Sequence, residues 1–578
     1  MNKFHLSIRT LAFIIPLLFG FSLQARTQTP KVNKVVVAYV TSWTDVLPDP
    51  TSMTHINYAF ALVNDSFDGI RISNPERLHR IVALRQKAPH LRIMLSIGGW
   101  GAGGFSEMTS DEQRRTAFAL DCLRAVKEFG LDGIDIDWEY PTQSSAGISS
   151  STEDTRNFTL LMRDLRRVLG RKRLLTCATV ASGEYIDFPS CIQYLDMVNV
   201  MSYDMGNPPQ HHSAMYDSPI TGWISVEKAI EAHLEKGVPA HKLVMGMPFY
   251  GRGESTFRHY HRGIPLPPNI IEQWNEEGQV PYLAKTDGTL VSGFDNTKSL
   301  ALKCQYIIDH NLRGGMYWEY ADDTPQGDKR RTLQLSLMQE GKGVEAPRRV
   351  LAIAEKDNEH EPFSQCALDW LTTHEDSLHI EVTRLTHLHN LPAGELQKYH
   401  LILQLDYPPY NWSKDARQDF QTYIDKSMGG YIGFHHATLL GDNFGTGPMW
   451  EWFSHFMGNI RWKDYVAETA DGTICIEDRT HPVTQGISDT LRLPRDEWYT
   501  YHSNPRPHVH VLAHVDEHSY SPSSTVRMGD HPVIWTNPHK AARNVYFQFG
   551  HDAELFRQPS FVKLFANAIS WALGDISD

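Results

Sequence analysis

Between Lys34 and about Gly341 short apolar runs alternate eight times with amphipathic stretches, a pattern that few folds accept. The runs cover 35–40, 55–61, 91–97, 131–139, 174–181, 196–203, 242–250 and 314–320. Between them, stretches such as 111–129, 154–169, 226–236 and 297–310 carry apolar residues at three- and four-residue spacing, the period of a helix with one buried face. Successive parallel strands need a crossover, and a helix supplies it. The repeat therefore predicts a TIM (β/α)8 barrel over residues 32–342, with its chemistry at the C-terminal ends of the strands.

The fourth run contains DGIDIDWEYP at 132–141, which places carboxylates at 132, 135, 137 and 139 inside an otherwise buried strand. Alternate side chains share a face of a strand, so Asp135, Asp137 and Glu139 point one way while Ile134, Ile136 and Trp138 point the other. Crowding and burying like charges raises the pKa of at least one of them and keeps a carboxylic acid protonated near neutrality. Glu139, last in the row and nearest the strand's C-terminal end, is the natural proton donor.

This run resembles the Asp-x-x-Asp-x-Asp-x-Glu signature of glycoside hydrolase family 18, the chitinase family, and matches it throughout. The resemblance implies that Glu139 is the general acid/base, that Asp137 orients and stabilises the substrate's 2-acetamido group, and that Asp135 belongs to the same catalytic set. In that family the sugar's N-acetyl oxygen takes the place of a second protein carboxylate, so no cofactor is expected in the barrel. Other strand ends carry matching pieces. Ser96-Ile-Gly98-Gly99-Trp100 matches Ser-x-Gly-Gly, where glycines allow close backbone approach. Met201-Ser-Tyr203-Asp204 matches Met-x-Tyr-Asp, which implies a Tyr203 hydroxyl for the acetamido carbonyl, Met201 lining the subsite and Asp204 beside it. Tyr250 and Arg252 match sugar-contacting positions, Trp318 the floor of the cleavage subsite, and Tyr39 and Phe60 its wall. Trp43 and Trp100 are expected to extend the cleft, and the loop 142–152 to border it. The stretch 253–294 is short for the α+β insertion that walls a deep groove in processive members, so a more open cleft is expected.

The resemblance implies a substrate of β-1,4-linked N-acetylglucosamine. Two rivals are an endo-β-N-acetylglucosaminidase acting on N-glycans and a chitin-binding lectin-like barrel. Inactive barrels of the family typically lose the terminal Glu, and Glu139 is present.

Residues 1–25 combine a basic start with an apolar stretch from Leu11 to Leu23 and read as a secretory signal peptide, so a secreted or periplasmic location is expected. No second apolar stretch reaches the ~18 residues that a spanning helix needs. Loss of Lys3 and Arg9 with the leader moves the formal charge from −13 to −15, which argues against nucleic acid or anionic membrane as partners. The six cysteines are scattered without C-x-x-C spacing, and Cys122, Cys177 and Cys304 fall in apolar segments as expected buried thiols.

A second strand and helix pattern occupies 346–578 and predicts an open flavodoxin-like α/β domain. GGYIGFHHA at 429–437, HPVTQG at 481–486, DEWY at 496–499 and FGH at 549–551 together resemble the trehalose-utilisation (ThuA-like) domain, related in fold to class I glutamine amidotransferases. Where those enzymes place a nucleophilic Cys this chain has His435, which argues against cysteine-dependent amidotransfer. His360, His435, His436, Glu497 and His551 fall at expected strand ends, where imidazole and carboxylate together suit a divalent metal such as zinc.

Overall fold

The computed structural model of the chain describes residues 34–254, 266–339, 341–356, 358–444 and 448–576. The leader expected at 1–25 lies outside the described residues. Among the described residues no helix is long and apolar enough to cross a membrane.

All eight expected barrel strands form: β1 (Val35–Thr41), β2 (His55–Val63), β3 (Arg92–Gly98), β4 (Gly133–Asp137), β5 (Leu174–Val180), β6 (Met197–Met201), β7 (Leu243–Pro248) and β8 (Gly314–Trp318). Each pairs in parallel with the next, and β8 returns to β1 in the register Val36↔Gly315, so the cylinder closes. The helices between them start where local chemistry directs. Asp111 accepts from the Arg114 N–H at 2.8 Å to cap Glu112–Glu128, and Asn296 and Ser299 form a reciprocal capping box at the start of Thr297–Asp309. Asp154–Leu169 buries Phe158, Leu161, Met162 and Leu165 along one face and stops at Gly170, whose φ of 69° suits a helix end.

The fourth, sixth and seventh strands end at Asp137, Met201 and Pro248, earlier than the apolar runs that predict them. Alternate side chains stay buried past the last ladder bond, as Trp138 and Phe249 do, so the apolar pattern outruns the hydrogen bonding. Glu139, Tyr203 and Tyr250 consequently sit just beyond the strand ends, on the rim. Trp138, 2% exposed, stacks on Phe105 at 5.3 Å between ring centroids and anchors the acid row from behind. Trp138→Ala should cost about 3–5 kcal/mol through lost transfer energy and the cavity left behind. Urea unfolding followed by circular dichroism measures it, and an unchanged barrel transition would refute the anchoring role.

Within 253–294 the chain folds into a small antiparallel sheet of Ile270–Asn275, Val280–Lys285, Leu290–Gly293 and Arg252–Gly253, so the short insertion is built from strands alone among its described residues. Leu283, Ile270 and Phe294 form its core. Its edge strand carries Arg252 to the barrel mouth. The loop 142–152 borders the cleft from one layer back: it is absent from the lining itself, but a Cβ on the lining residue Gly101 would stand 3.7 Å from the Ala146 carbonyl oxygen. Its Ile148 turns into the core, and Asp154 accepts from the N–H groups of Thr142 and Ser151, drawing the two ends of the loop together.

The second domain is a nine-stranded sheet. Its strands are β9 (Arg348–Ala354), β10 (Ile380–Leu385), β11 (Leu401–Asp406), β12 (Gly430–Phe434), β13 (Ala470–Ile476), β14 (Thr490–Asp496), β15 (His510–Ser521), β16 (Pro532–Thr536) and β17 (Asn544–Phe547). They lie in the order β10-β9-β11-β12-β17-β16-β15-β13-β14. The first five pair in parallel, and their order is that of the flavodoxin-like sheet. The remaining four extend it in antiparallel fashion. The switch point lies between β9 and β11, and the loops leaving their carboxyl ends bound the crevice of such a sheet.

Candidate functional site

At the C-terminal mouth of the barrel a cleft of about 1030 Å³ is lined by Asp137, Glu139, Tyr203, Tyr250 and Trp318, among others. It also takes in Tyr39, Phe60, Gly98, Gly99, Trp100, Met201, Asp204 and Arg252, so every barrel site residue expected from sequence except Asp135 reaches it directly. Asp135 lies beneath, fully buried, and accepts hydrogen bonds from Tyr39 Oη (2.9 Å), Ser96 Oγ (2.8 Å), Thr176 Oγ1 (2.5 Å) and Asn199 Nδ2 (3.2 Å). Burial raises its pKa, and those four donors pull it back only in part.

One step along the strand, Asp137 is buried with its Oδ1 free of any hydrogen-bond partner among the described residues. Burial, then the charges of Glu139 and Asp135, hold its carboxyl well above the usual range. Glu139, at the rim, is pushed up to about 7, chiefly by burial and further by the charge of Asp204, against a hydrogen bond from Tyr140 that pulls the other way. A carboxylic acid poised near neutrality can both give and take a proton.

The backbone here is tight. A Cβ on Gly98, whose φ is 124°, would stand 2.0 Å from the Asp137 carbonyl oxygen, and one on Gly99 (φ 96°) would stand 2.6 Å from the Phe60 ring. Only glycine lets β3 press against the acid strand and close the Gly99 N–H to Asp137 O bond of 2.8 Å.

Trp318 makes the floor, with Phe60 stacked at 5.6 Å and 18° and Tyr39 tilted at 5.7 Å. Across the cleft Asp204 accepts from Tyr250 Oη and Arg252 Nε, both at 2.6 Å, and pairs with the Arg252 guanidinium. Burial pushes its pKa up, but hydrogen bonds and charge from His212, Arg252 and Tyr250 outweigh that and hold the carboxylate ionised. Among the described residues Tyr203 Oη has one hydrogen-bond contact, to a sulfur, Met316 Sδ at 3.9 Å, a weak acceptor that a substrate oxygen can replace. Trp43 and Trp100 stand 64% exposed in the same cleft, the arrangement expected of outer sugar platforms. Trp223, also in the lining and 59% exposed, is a residue the sequence reading misses, since no motif marks it.

The family model for glycosyl hydrolases family 18 matches residues 35–323, half of the chain. The chain belongs to that family. A second model, for trehalose utilisation, matches residues 349–572, so the family 18 barrel is followed by a ThuA domain. Chitinase A1 of Niallia circulans is 28% identical over 443 residues, covering 58% of this chain and 62% of that protein. An endochitinase of Manduca sexta is 30% identical over 331 residues, covering 47% of this chain and 59% of that protein. The chain thus spans about three fifths of the length of these curated relatives. Among solved structures, a family 18 N-acetylglucosaminidase from Paenibacillus barengoltzii is 33% identical, covering 54% of this chain and 100% of that one, with a TM-score of 0.47.

In the ThuA domain the five metal candidates gather into two sets that share one ring. His360, His435, Glu497 and His551 form the first, and His360, His436 and Asp406 the second. Asp406, which ends β11, is the member that sequence reasoning overlooks; its Oδ1 lies 2.6 Å from His436 Nδ1. His360 is lowered to about 3 by burial and by the neighbouring imidazoles, and burial likewise holds His435 well below its usual value. Both rings are therefore neutral, with lone pairs to offer. All six cysteines of the chain are free thiols, and Cys122, Cys177, Cys191 and Cys304 are buried.

Proposed function

We propose that the barrel hydrolyses β-1,4-linked N-acetylglucosamine, as in chitin or chito-oligosaccharides, with retention at the anomeric carbon. The observation that carries this reading is the acid row: one carboxyl poised near 7 at the rim, and beside it a buried Asp137 with an unpartnered Oδ1. Glu139 protonates the glycosidic oxygen as the C1–O bond breaks, and the substrate's acetamido oxygen attacks C1 to close an oxazolinium ring. Asp137 accepts from the acetamido N–H, Tyr203 donates to the acetamido oxygen, and Trp318 carries the sugar face. Glu139, now ionised, takes a proton from the water that reopens the ring from the same side. The names of the relatives, chitinase and endochitinase, support the substrate. The leader expected at 1–25 supports an activity outside the cytoplasm.

Incubating the protein with N-acetylglucosamine oligomers and with an N-glycosylated protein side by side tests the assignment. Oligomer cleavage with the β-anomer released first, followed by NMR, is expected. Release of intact glycan from the glycoprotein without oligomer cleavage would overturn it.

The pH profile gives an independent check. Glu139 must be protonated to act as the acid, so kcat/KM should fall as pH rises through about 7. The negative charge of Asp204 raises that pKa, so Asp204→Asn should shift the alkaline limb to lower pH. An alkaline limb that stays put or moves upward in the variant would contradict the electrostatic coupling.

A further inference from the structure

We infer that the ThuA domain holds one divalent transition-metal ion, with the donor chemistry of a zinc site, on His360 Nε2, His435 Nε2, His551 Nδ1 and a carboxylate oxygen of Glu497. All four ligand atoms lie within 4.8 Å of one another. His360 Nε2 to His551 Nδ1 is 2.8 Å, His435 Nε2 to Glu497 Oε2 is 3.3 Å, and His551 Nδ1 to Glu497 Oε2 is 3.9 Å. A tetrahedral ion with bonds of about 2.0–2.1 Å sets its donors roughly 3.3–3.4 Å apart. Three of the six separations straddle that value and the other three stay within 4.8 Å, so side-chain adjustments, without a change of backbone, bring the donors to a tetrahedron.

The tautomer of His435 points the same way. Its Nδ1 lies 3.1 Å from the Gln548 carbonyl oxygen, which can only accept, so Nδ1 carries the proton and Nε2 turns a lone pair toward the cluster. A ring nitrogen fixed from behind by a backbone carbonyl is the usual support of a metal-bound histidine. Tyr499 Oη stands 2.9 Å from His435 Nε2 and 3.2 Å from Glu497 Oε2, so it can give up the nitrogen to an ion and keep the carboxylate as its acceptor. Behind His435, the fully buried Asp496 Oδ1 has no hydrogen-bond partner among the described residues and lies 3.9 Å from Nδ1.

The backbone is committed to the arrangement. His435 holds a φ of 38°, in the left-handed region that costs a non-glycine residue of order 1–3 kcal/mol, at the turn that leaves β12. His360 follows β9, at the switch point where such sheets bind ligands. Glu497 and His551 keep 19% and 16% of their side chains exposed, which leaves an entry path. Three imidazoles and one carboxylate suit zinc, copper or nickel rather than calcium or magnesium. The His436–Asp406 pair lies on the other side of His360 and offers only three ligands in all, with His360 Nδ1 3.8 Å from Asp406 Oδ1, so the four-ligand set is the assigned one.

The full chain, stripped with chelator and dialysed, is titrated with Zn²⁺ and with Co²⁺ as a spectroscopic probe. One equivalent of zinc per chain, visible absorption from four-coordinate cobalt, and a zinc-dependent rise in Tm are expected. Loss of an outer-shell partner typically weakens a site by about 10–100-fold, so His551→Ala and Glu497→Gln, which each remove a direct ligand, should exceed about 100-fold. The Tm and stoichiometry of the wild-type chain need no variant, so a misfolded mutant leaves the test intact. No stoichiometric zinc on the wild type would overturn the site. So would wild-type affinity in folded His551→Ala, or loss of binding in folded His436→Ala with His551→Ala unaffected.

Discussion

Glu139→Gln should lower kcat on chito-oligosaccharides by about 10²–10⁴ or more, the range that general acid/base catalysis contributes, while leaving sugar binding in place. The amide has nearly the same shape, so Trp318, Phe60 and Tyr39 still hold the sugar face. What disappears is the proton. With a pKa of about 7 the native carboxyl can deliver it to the leaving oxygen at neutral pH and then take another from water. A glutamine can do neither. The substitution also removes the Glu139 charge that helps keep Asp137 above its usual range, so Asp137 should ionise more readily in the variant. Binding of the acetamido N–H is expected to hold or tighten. Initial rates set beside equilibrium binding of the same oligomer separate the two effects, and turnover near the wild-type rate in purified, folded E139Q would sink the assignment of Glu139.

The barrel was legible because its two periodicities are local. Alternation at two residues and at three to four residues shows in short windows, and Asp111 or Asn296 marks a helix start within one turn. Strand ends were less legible, because burial of Trp138 and Phe249 continues after the ladder stops. The acid row and the strand-end motifs that match the family were legible as written words. What surrounds them was not. Thr176 and Asn199, which hold Asp135, and Trp223, which walls the cleft, come from separate parts of the chain and meet only through closure of the cylinder. The same holds in the ThuA domain, where Asp406 reaches His436 through parallel pairing of β11 with β12 and nothing near either residue announces it. The antiparallel half of that sheet was not legible, because the pairing order of β13 to β16 is non-sequential.

Cleavage should depend on an N-acetyl group in the sugar that occupies the floor at Trp318, and by a very large factor. If the substrate's acetamido oxygen is the nucleophile, its advantage is that of an intramolecular group, for which effective molarities reach about 10⁵–10⁸ M. Replacing that unit with glucosamine removes the oxygen altogether, and the rate at that bond should fall on the order of 10⁵ or more. Two neighbouring carboxylates are already committed. Asp135 is sealed by four hydrogen bonds below the cleft, and Asp204 is engaged by Tyr250 and Arg252 across it. The amine is cationic near neutrality and would stand against Asp137, so a deacetylated oligomer should bind and fail to react, inhibiting the acetylated one. A thiazoline that copies the oxazolinium ring should bind at least about 10²-fold tighter than substrate, as mimics of a reaction's high-energy species do. Oligomers of defined acetylation, with products mapped by mass spectrometry, measure the requirement bond by bond. Equal hydrolysis of fully acetylated and fully deacetylated chains would show that the protein supplies its own nucleophile and that the substrate's acetamido group does not.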